Sequence, residues 1–253
     1  MFCPNQFLDQ CVMKQARGVV RLVGFVLHET LRFLDENGQP VNQDVVASFR
    51  SITERAGVSR GATRGAIDLC IDAKFIECVT QPEKKSTASP GRVGEYRLRW
   101  ADAIPDLESE FTGFYAGAGR RTPVPHAIFT HVIPNESLAV IRVVAAVIRN
   151  TIGYQNQFGG RRKQHPLSLS LLEHITGMSR KHVVQATKLA IDRNYIQCLA
   201  SLGQTTVYSL KWLVRNEKSN VGSKRKPLGI DEFKKETSNG SITSEDQFKK
   251  ATL

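Results

Sequence analysis

Gly177-Met178-Ser179-Arg180-Lys181-His182-Val183-Val184-Gln185-Ala186-Thr187-Lys188-Leu189-Ala190, closed by Ile191-Asp192-Arg193-Asn194-Tyr195-Ile196, is the stretch that decides how this chain folds. It reads as the turn and second helix of a helix-turn-helix running into a strand. The glycine stands where a first helix must end and the chain turn sharply, a place that favours a residue free to take positive φ. Met178 follows as the apolar residue that pins the turn to the core, and Ser179 is placed to cap the next helix. Val183, Ala186, Thr187 and Ala190 fall at i, i+3, i+4 and i+7, the spacing of a buried stripe. Arg180, Lys181, Gln185 and Lys188 occupy the other face. Small residues inward and long polar donors outward suit a helix held close to its own domain while reaching into a groove.

The same wording stands about 120 positions earlier as Gly57-Val58-Ser59-Arg60, then Ala66, Leu69, Ile71-Asp72 and Phe75-Ile76, with Cys78 answering Cys198. Thr63, Ala66, Ile67 and Cys70 form the stripe; Arg60, Gly61, Arg64 and Asp68 form the outer face. This copy is the weaker one. Gly61 and Gly65 each cost its helix about 1 kcal/mol relative to Ala, and Asp68 puts negative charge where phosphates would lie. Contact with DNA through Arg60 and Arg64, and a dimerisation or helper role, both stay open for it. The duplication extends further. Leu138 to Thr151 parallels Ala16 to Thr30, with Arg21 matching Arg142 and Thr30 matching Thr151, and Tyr96-Arg97-Leu98-Arg99-Trp100 answers Tyr208-Ser209-Leu210-Lys211-Trp212. A period this long argues for duplicated domains rather than a solenoid.

Taken in order, residues 1–15 read as a lead-in, and the apolar run from Ala16 to Leu34 as a long helix ended by Asn37-Gly38-Gln39-Pro40. Asp44 is expected to cap a helix from Val45 to Ala56. Helix three follows from Ser59 to Ala73, then a strand Phe75–Val79, a polar hairpin loop over 81–94, and the strand Tyr96–Trp100. Three helices and a two-stranded ribbon make a winged helix, with 81–94 as its wing. In the later copy Gly159-Gly160-Arg161-Arg162-Lys163-Gln164-His165-Pro166 is a basic loop. Leu167-Ser168-Leu169-Ser170 supplies a short strand and a cap, Leu171 to Thr176 a helix, and 195–213 a hairpin with a short wing at 201–204. The expected fold class is therefore mainly α with small β-hairpins (α+β). It comprises two tandem winged-helix (helix-turn-helix) domains at 1–100 and 126–215, a linker or irregular connector over 101–125 whose Phe111, Phe114 and Tyr115 are expected to pack on the rest, and a disordered basic tail over 216–253.

The charge is unevenly spread. Against 35 Lys and Arg stand 24 Asp and Glu, a formal net charge of +11. Residues 126–215 carry 11 basic and 3 acidic side chains, against 16 and 15 in residues 1–125, so the later copy holds most of the surplus. A polyanion is the economical partner, and nucleic acid the commonest. Five cysteines with no C-x-x-C pair fit a reducing compartment. No signal-peptide layout is present, and the most apolar stretch, Leu138 to Ile148, is shorter than the about 20 residues a membrane span needs. Six histidines show no metal-ligand spacing and no Gly-rich phosphate loop appears, so no metal, no cofactor and no enzymatic activity are expected.

The segment from Pro134 to Ile196 resembles the N-terminal domain of phage replication protein O and related initiators. The matching words are Arg149-Asn150-Thr151-Ile152-Gly153-Tyr154, Leu167-Ser168 to Leu172, Thr176-Gly177-Met178-Ser179-Arg180, and Tyr195-Ile196. The doubled layout is also similar to the tandem winged-helix replication initiators of plasmids. The resemblance implies sequence-specific binding of double-stranded DNA in the service of replication of a plasmid, phage or other mobile element, in a bacterial cytoplasm and nucleoid. The chain departs from phage O-type proteins in its second domain and short tail. Candidate DNA-binding residues are Arg60, Arg64, Lys84, Lys85, Arg92, Arg161, Arg162, Lys163, Ser179, Arg180, Lys181, His182, Gln185 and Lys188. A homodimer, and docking of replication machinery on the tail, are the further partners considered. A transcriptional regulator and a non-enzymatic protein-interaction adaptor are the alternative functions.

Overall fold

The computed structural model describes residues 1–36, 40–80, 93–101, 111–115, 117, 119–200 and 204–211. The first half runs β1 (Phe2–Pro4), a π-helical arm (Phe7–Val12), α1 (Arg17–Leu31), β2 (Asp44–Ser48), α2 (Phe49–Ser51) continuing as a π-helical turn to Ala56, α3 (Thr63–Asp72), β3 (Ile76–Thr80) and β4 (Val93–Leu98). The same order then returns. β5 (Arg121–Pro123) leads to a second arm (Ile128–Val132) that runs into α4 (Ile133–Asn135), followed by α5 (Leu138–Asn150), β6 (Gln164–Pro166), α6 (Leu169–Thr176), α7 (Arg180–Asp192), β7 (Ile196–Leu199) and β8 (Val207–Leu210). Each half closes an antiparallel three-stranded sheet with its last strand in the middle, β2-β4-β3 and β6-β8-β7. The architecture is thus mixed helix and small antiparallel sheet, used twice.

Local chemistry repeats with it. Gly57 and Gly177 take φ of 71° and 64°, as their turns require. Lys74 and Asn194 both take φ of 60°, and behind them the N–H of Phe75 donates to Cys70 at 3.0 Å and that of Tyr195 to Ala190 at 2.9 Å. These bonds satisfy the last carbonyls of α3 and α7 while reversing the chain into the next strand. Ser137 and Ser168 cap α5 and α6, accepting from Val140 and Leu171.

Several expectations are corrected. Asp44 does not cap a helix: residues 44–48 are a strand, because Val45 and Ala47 turn inward while Val46 is exposed, a period of two. The Asp44 carboxylate instead accepts two bonds from Arg97 on β4, at 2.6 and 2.8 Å, and Ser48 caps the helix that follows. Helix three begins at Thr63 rather than Ser59, behind a turn in which Ala62 N–H donates to the Ser59 carbonyl. Residues 1–15 are not a loose lead-in, since Phe7, Leu8, Cys11 and Val12 are buried. The connector over 101–125 carries a strand that was not expected, β5, paired antiparallel with β1 as Phe2↔Pro123, Cys3↔Thr122 and Pro4↔Arg121; its Phe111 and Phe114 do pack as expected, their rings on Phe75.

The arms cross between the halves. The first arm lies on α5 as well as on α1, with Asp9 paired to Arg149 at 3.0 Å. The second arm and α4 lie on α1 and on the turn ending at Ala56, and Phe129 stacks on Phe7 with ring centroids 5.9 Å apart. α1 and α5 are consequently apolar round most of their circumference, as helices covered from two sides must be. Two matched arginines fasten the crossing. Arg21 donates to the carbonyls of Gly57 (2.5 Å), Ile133 (3.0 Å) and Glu136 (3.1 Å), and Arg142 to those of Thr176 (3.4 Å), Val12 (3.1 Å) and Gln15 (3.3 Å). Each therefore ties its own half's turn to the other half's arm with charge-assisted bonds.

Candidate nucleic-acid interface

α7 packs on α5 and α6 through Val183, Ala186, Thr187 and Ala190, all buried. Its small inward residues let the helix sit close and leave its outer side standing clear. Arg180, Lys181, His182, Gln185 and Lys188 are all exposed on that side. Among the described residues, Arg180, Lys181 and Lys188 form no ion pair, so three cations face solvent unneutralised. Of the carboxylates of this half, Asp192 stands exposed at the C-terminal end of α7, while Glu136, 3% exposed, takes Arg193 and the Tyr195 hydroxyl at 2.7 Å. Burial, with Glu136 adding to it, pushes that phenol up to about 12. Ser179 has the extended backbone of a capping residue, but its hydroxyl lies 2.9 Å from His182 Nδ1 instead of on a helix N–H. The imidazole one turn on competes for it.

α3 presents a more neutral surface. Arg64 is tied to Asp68 on the next turn at 3.1 Å, leaving Arg60 as the exposed cation at its start. A Cβ added at Gly61 or Gly65 would meet nothing within 4 Å, so that face is flat and open.

The basic loop behaves differently from α7. Arg161 donates to the Ile152 carbonyl at 2.7 Å and to Gln155 Oε1 at 3.3 Å, and the Arg162 guanidinium lies 3.4 Å from the centre of the Tyr154 ring, beside His165. Both arginines clamp the loop they belong to; Lys163 is exposed and also has a partner. Strand register locates the loop. Gln164 pairs with Ser209, and Ile196 with Leu210, whereas Pro166 and Leu199 both pair with Val207. The loop thus enters the sheet at the end fed by α7, opposite the turn between β7 and β8. Phe158 projects from it, 86% exposed, a feature sequence reasoning missed although an aromatic before Gly159-Gly160 was there to be noticed. Lys84, Lys85 and Arg92, with residues 81–92 of the stretch read as a wing at 81–94, and the tail read at 216–253, lie outside the described residues, while Val93 and Gly94 belong to β4.

Among the described residues, no group of three or more His, Cys, Asp or Glu could hold a metal ion, and no helix is long and apolar enough to cross a membrane. No protein-family model and no curated protein matches the chain.

Proposed function

We propose that each half is a winged helix and that the chain is a sequence-specific double-stranded DNA-binding protein without enzymatic activity, acting in replication initiation of a plasmid, phage or other mobile element. The observation that carries the DNA reading is the outer side of α7, with three cations that form no ion pair among the described residues and an exposed glutamine on a helix held by small residues. The element order supports the winged-helix reading, since helix, strand, helix, helix and two strands close a sheet with the last strand central in both halves. The replication role rests on the resemblance carried by the words between Pro134 and Ile196.

In this reading α7 enters the major groove. Arg180 or Lys181 pairs with guanine O6 and N7, Gln185 with adenine, and Lys188 with backbone phosphate. Arg161 and Arg162 shape their loop first and offer their remaining N–H donors to phosphate.

The test is a titration of affinity against salt on random duplex and on intergenic DNA of the source element. Affinity is expected to fall linearly in log–log form, with a slope set by the phosphates neutralised. Arg180→Ala is expected to cost about 1–3 kcal/mol on the preferred sequence and less on random duplex. A flat slope would remove DNA as the partner; equal losses on both duplexes would reduce Arg180 to a phosphate contact.

A further inference from the structure

The two halves grip one another by the same contacts made in both directions. Arg21 and Arg142 stand 121 positions apart, and their arm acceptors keep that offset, Val12 with Ile133 and Gln15 with Glu136. Only the turn acceptors, Gly57 and Thr176, are out of step. The β1–β5 ladder obeys the same rule: Phe2 faces Pro123, again 121 positions on, and beyond it Met1 and Val124 exchange both backbone bonds, at 3.0 and 2.8 Å. An interface in which equivalent residues meet reciprocally is isologous, and a two-fold axis is the operation that produces it. Here the axis runs through the Phe2–Pro123 pair. The chain is thus built like a symmetric dimer whose two subunits have been joined.

We infer that its DNA target is a pair of unequal half-sites in inverted orientation, read by a single copy of the chain. The inference rests on α7 reading DNA. A two-fold axis keeps α3 and α7 at the same height along itself and reverses everything across it. A duplex laid across the axis therefore meets two reading helices that run opposite ways, the relation that matches inverted half-sites about one helical turn apart. Direct repeats need a translation between reading helices, which this packing does not supply. The half-sites are unequal because the helices are. α7 offers Arg180, Lys181, Gln185 and Lys188, while α3 offers Arg60 beside an Arg64 already held by Asp68.

Selection by the full chain from a duplex pool randomised over about three helical turns tests this. The expected product contains two different half-sites in inverted orientation, bound by one chain per duplex in a mass measurement of the complex. Arg180→Ala is expected to relax the stronger half-site and Arg60→Ala the weaker. Inserting about 5 base pairs between them turns one half to the other face of the duplex and is expected to cost about tenfold or more in affinity. Direct repeats, a lone half-site, no enriched sequence, two bridged duplexes, or indifference to the insertion each overturn the inference while leaving DNA binding in place. A flat salt slope on every duplex sinks the DNA reading itself, and this inference with it.

Discussion

Two glycines in equivalent turns are expected to respond very differently to alanine. Gly57 and Gly177 share the left-handed conformation, which costs Ala about 1 kcal/mol relative to Gly in either place. At Gly177 that is the whole cost, because a Cβ there meets nothing within 4 Å. At Gly57 the Cβ would lie 2.2 Å from the Pro134 carbonyl oxygen and 2.9 Å from its carbon. Contact distance for such a pair is roughly 3.3 Å, so the backbone of α4 must retreat by about 1 Å. That backbone holds the Ile133 and Glu136 carbonyls on which Arg21 donates at 3.0 and 3.1 Å. Hydrogen bonds from a charged donor are worth about 1.5–3 kcal/mol each. Losing one and stretching the other brings the Gly57→Ala loss to about 3–4 kcal/mol against about 1 for Gly177→Ala. Urea unfolding followed by far-ultraviolet circular dichroism, compared at equal m-value, measures both. Losses equal to within about 0.5 kcal/mol would show that α4 does not bear on the first turn, and the crossed-arm packing would be refuted.

Acid is expected to loosen the same interface. Burial holds the His28 imidazole below its ordinary value against the pull of Glu29, and burial with the nearby N-terminal ammonium does the same for His126, whose ring lies 3.4 Å away. Folding therefore favours the neutral rings. Their stabilisation is complete above the unfolded pKa of about 6.5 and is lost as pH falls through it toward the folded values. The urea midpoint should drop between about pH 7.5 and 5.5, and His28→Gln with His126→Gln should flatten that drop; an unchanged profile would place the titrating groups elsewhere. Native protein is expected to expose at most two of its five thiols to a water-soluble disulfide reagent, Cys78 and Cys198, since Cys3, Cys11 and Cys70 are buried. Rapid labelling of a third would contradict the packing of the arms. Glu136→Gln should bring the Tyr195 phenol down from about 12. An unshifted tyrosine titration would mean that Glu136 does not hold that ring.

Much of this architecture was legible in the residues. Gly57 and Gly177, the buried stripes of α3 and α7, and the closing words at Tyr96 and Tyr208 stand in plain repeat, because turns and helix faces are written locally. β2 was not legible: Asp44-Val45-Val46-Ala47 is too short to separate period two from period 3.6, and its pairing with β4 depends on Arg97, far along the chain. The arms were missed for another reason. Phe7-Leu8 with Cys11-Val12 and Ile128-Phe129 with Val132-Ile133 repeat at the offset of Arg21 and Arg142, yet each makes sense only against the other half. The site divides in the same way. The exposed face of α7 follows from spacing alone, whereas the inward bonds of Arg161 and Arg162 depend on Ile152, Gln155 and Tyr154, which a reading by charge does not weigh.

The duplication has not stayed even, and the unevenness is mechanical as well as chemical. The second arm presses on the first turn through Pro134 and Gly57, but no equivalent contact presses on Gly177. The second arm also reaches the far end of α7, because Glu136, whose carbonyl accepts from Arg21, takes Arg193 and Tyr195 on its carboxylate. The matching position in the first half is Gln15, and Ala73 and Phe75, the counterparts of Arg193 and Tyr195, offer it no polar side chain. One chain of contacts therefore runs from the turn before α3, through Arg21 and Glu136, to the end of α7; among the described residues its counterpart through Arg142 stops at Gln15, with no side-chain bond from there to the end of α3. Of the two helices it is α7, the more cationic, whose C-terminal end is anchored to the arm that crosses onto the first half, and a helix held at that end keeps its N-terminal residues in a fixed place.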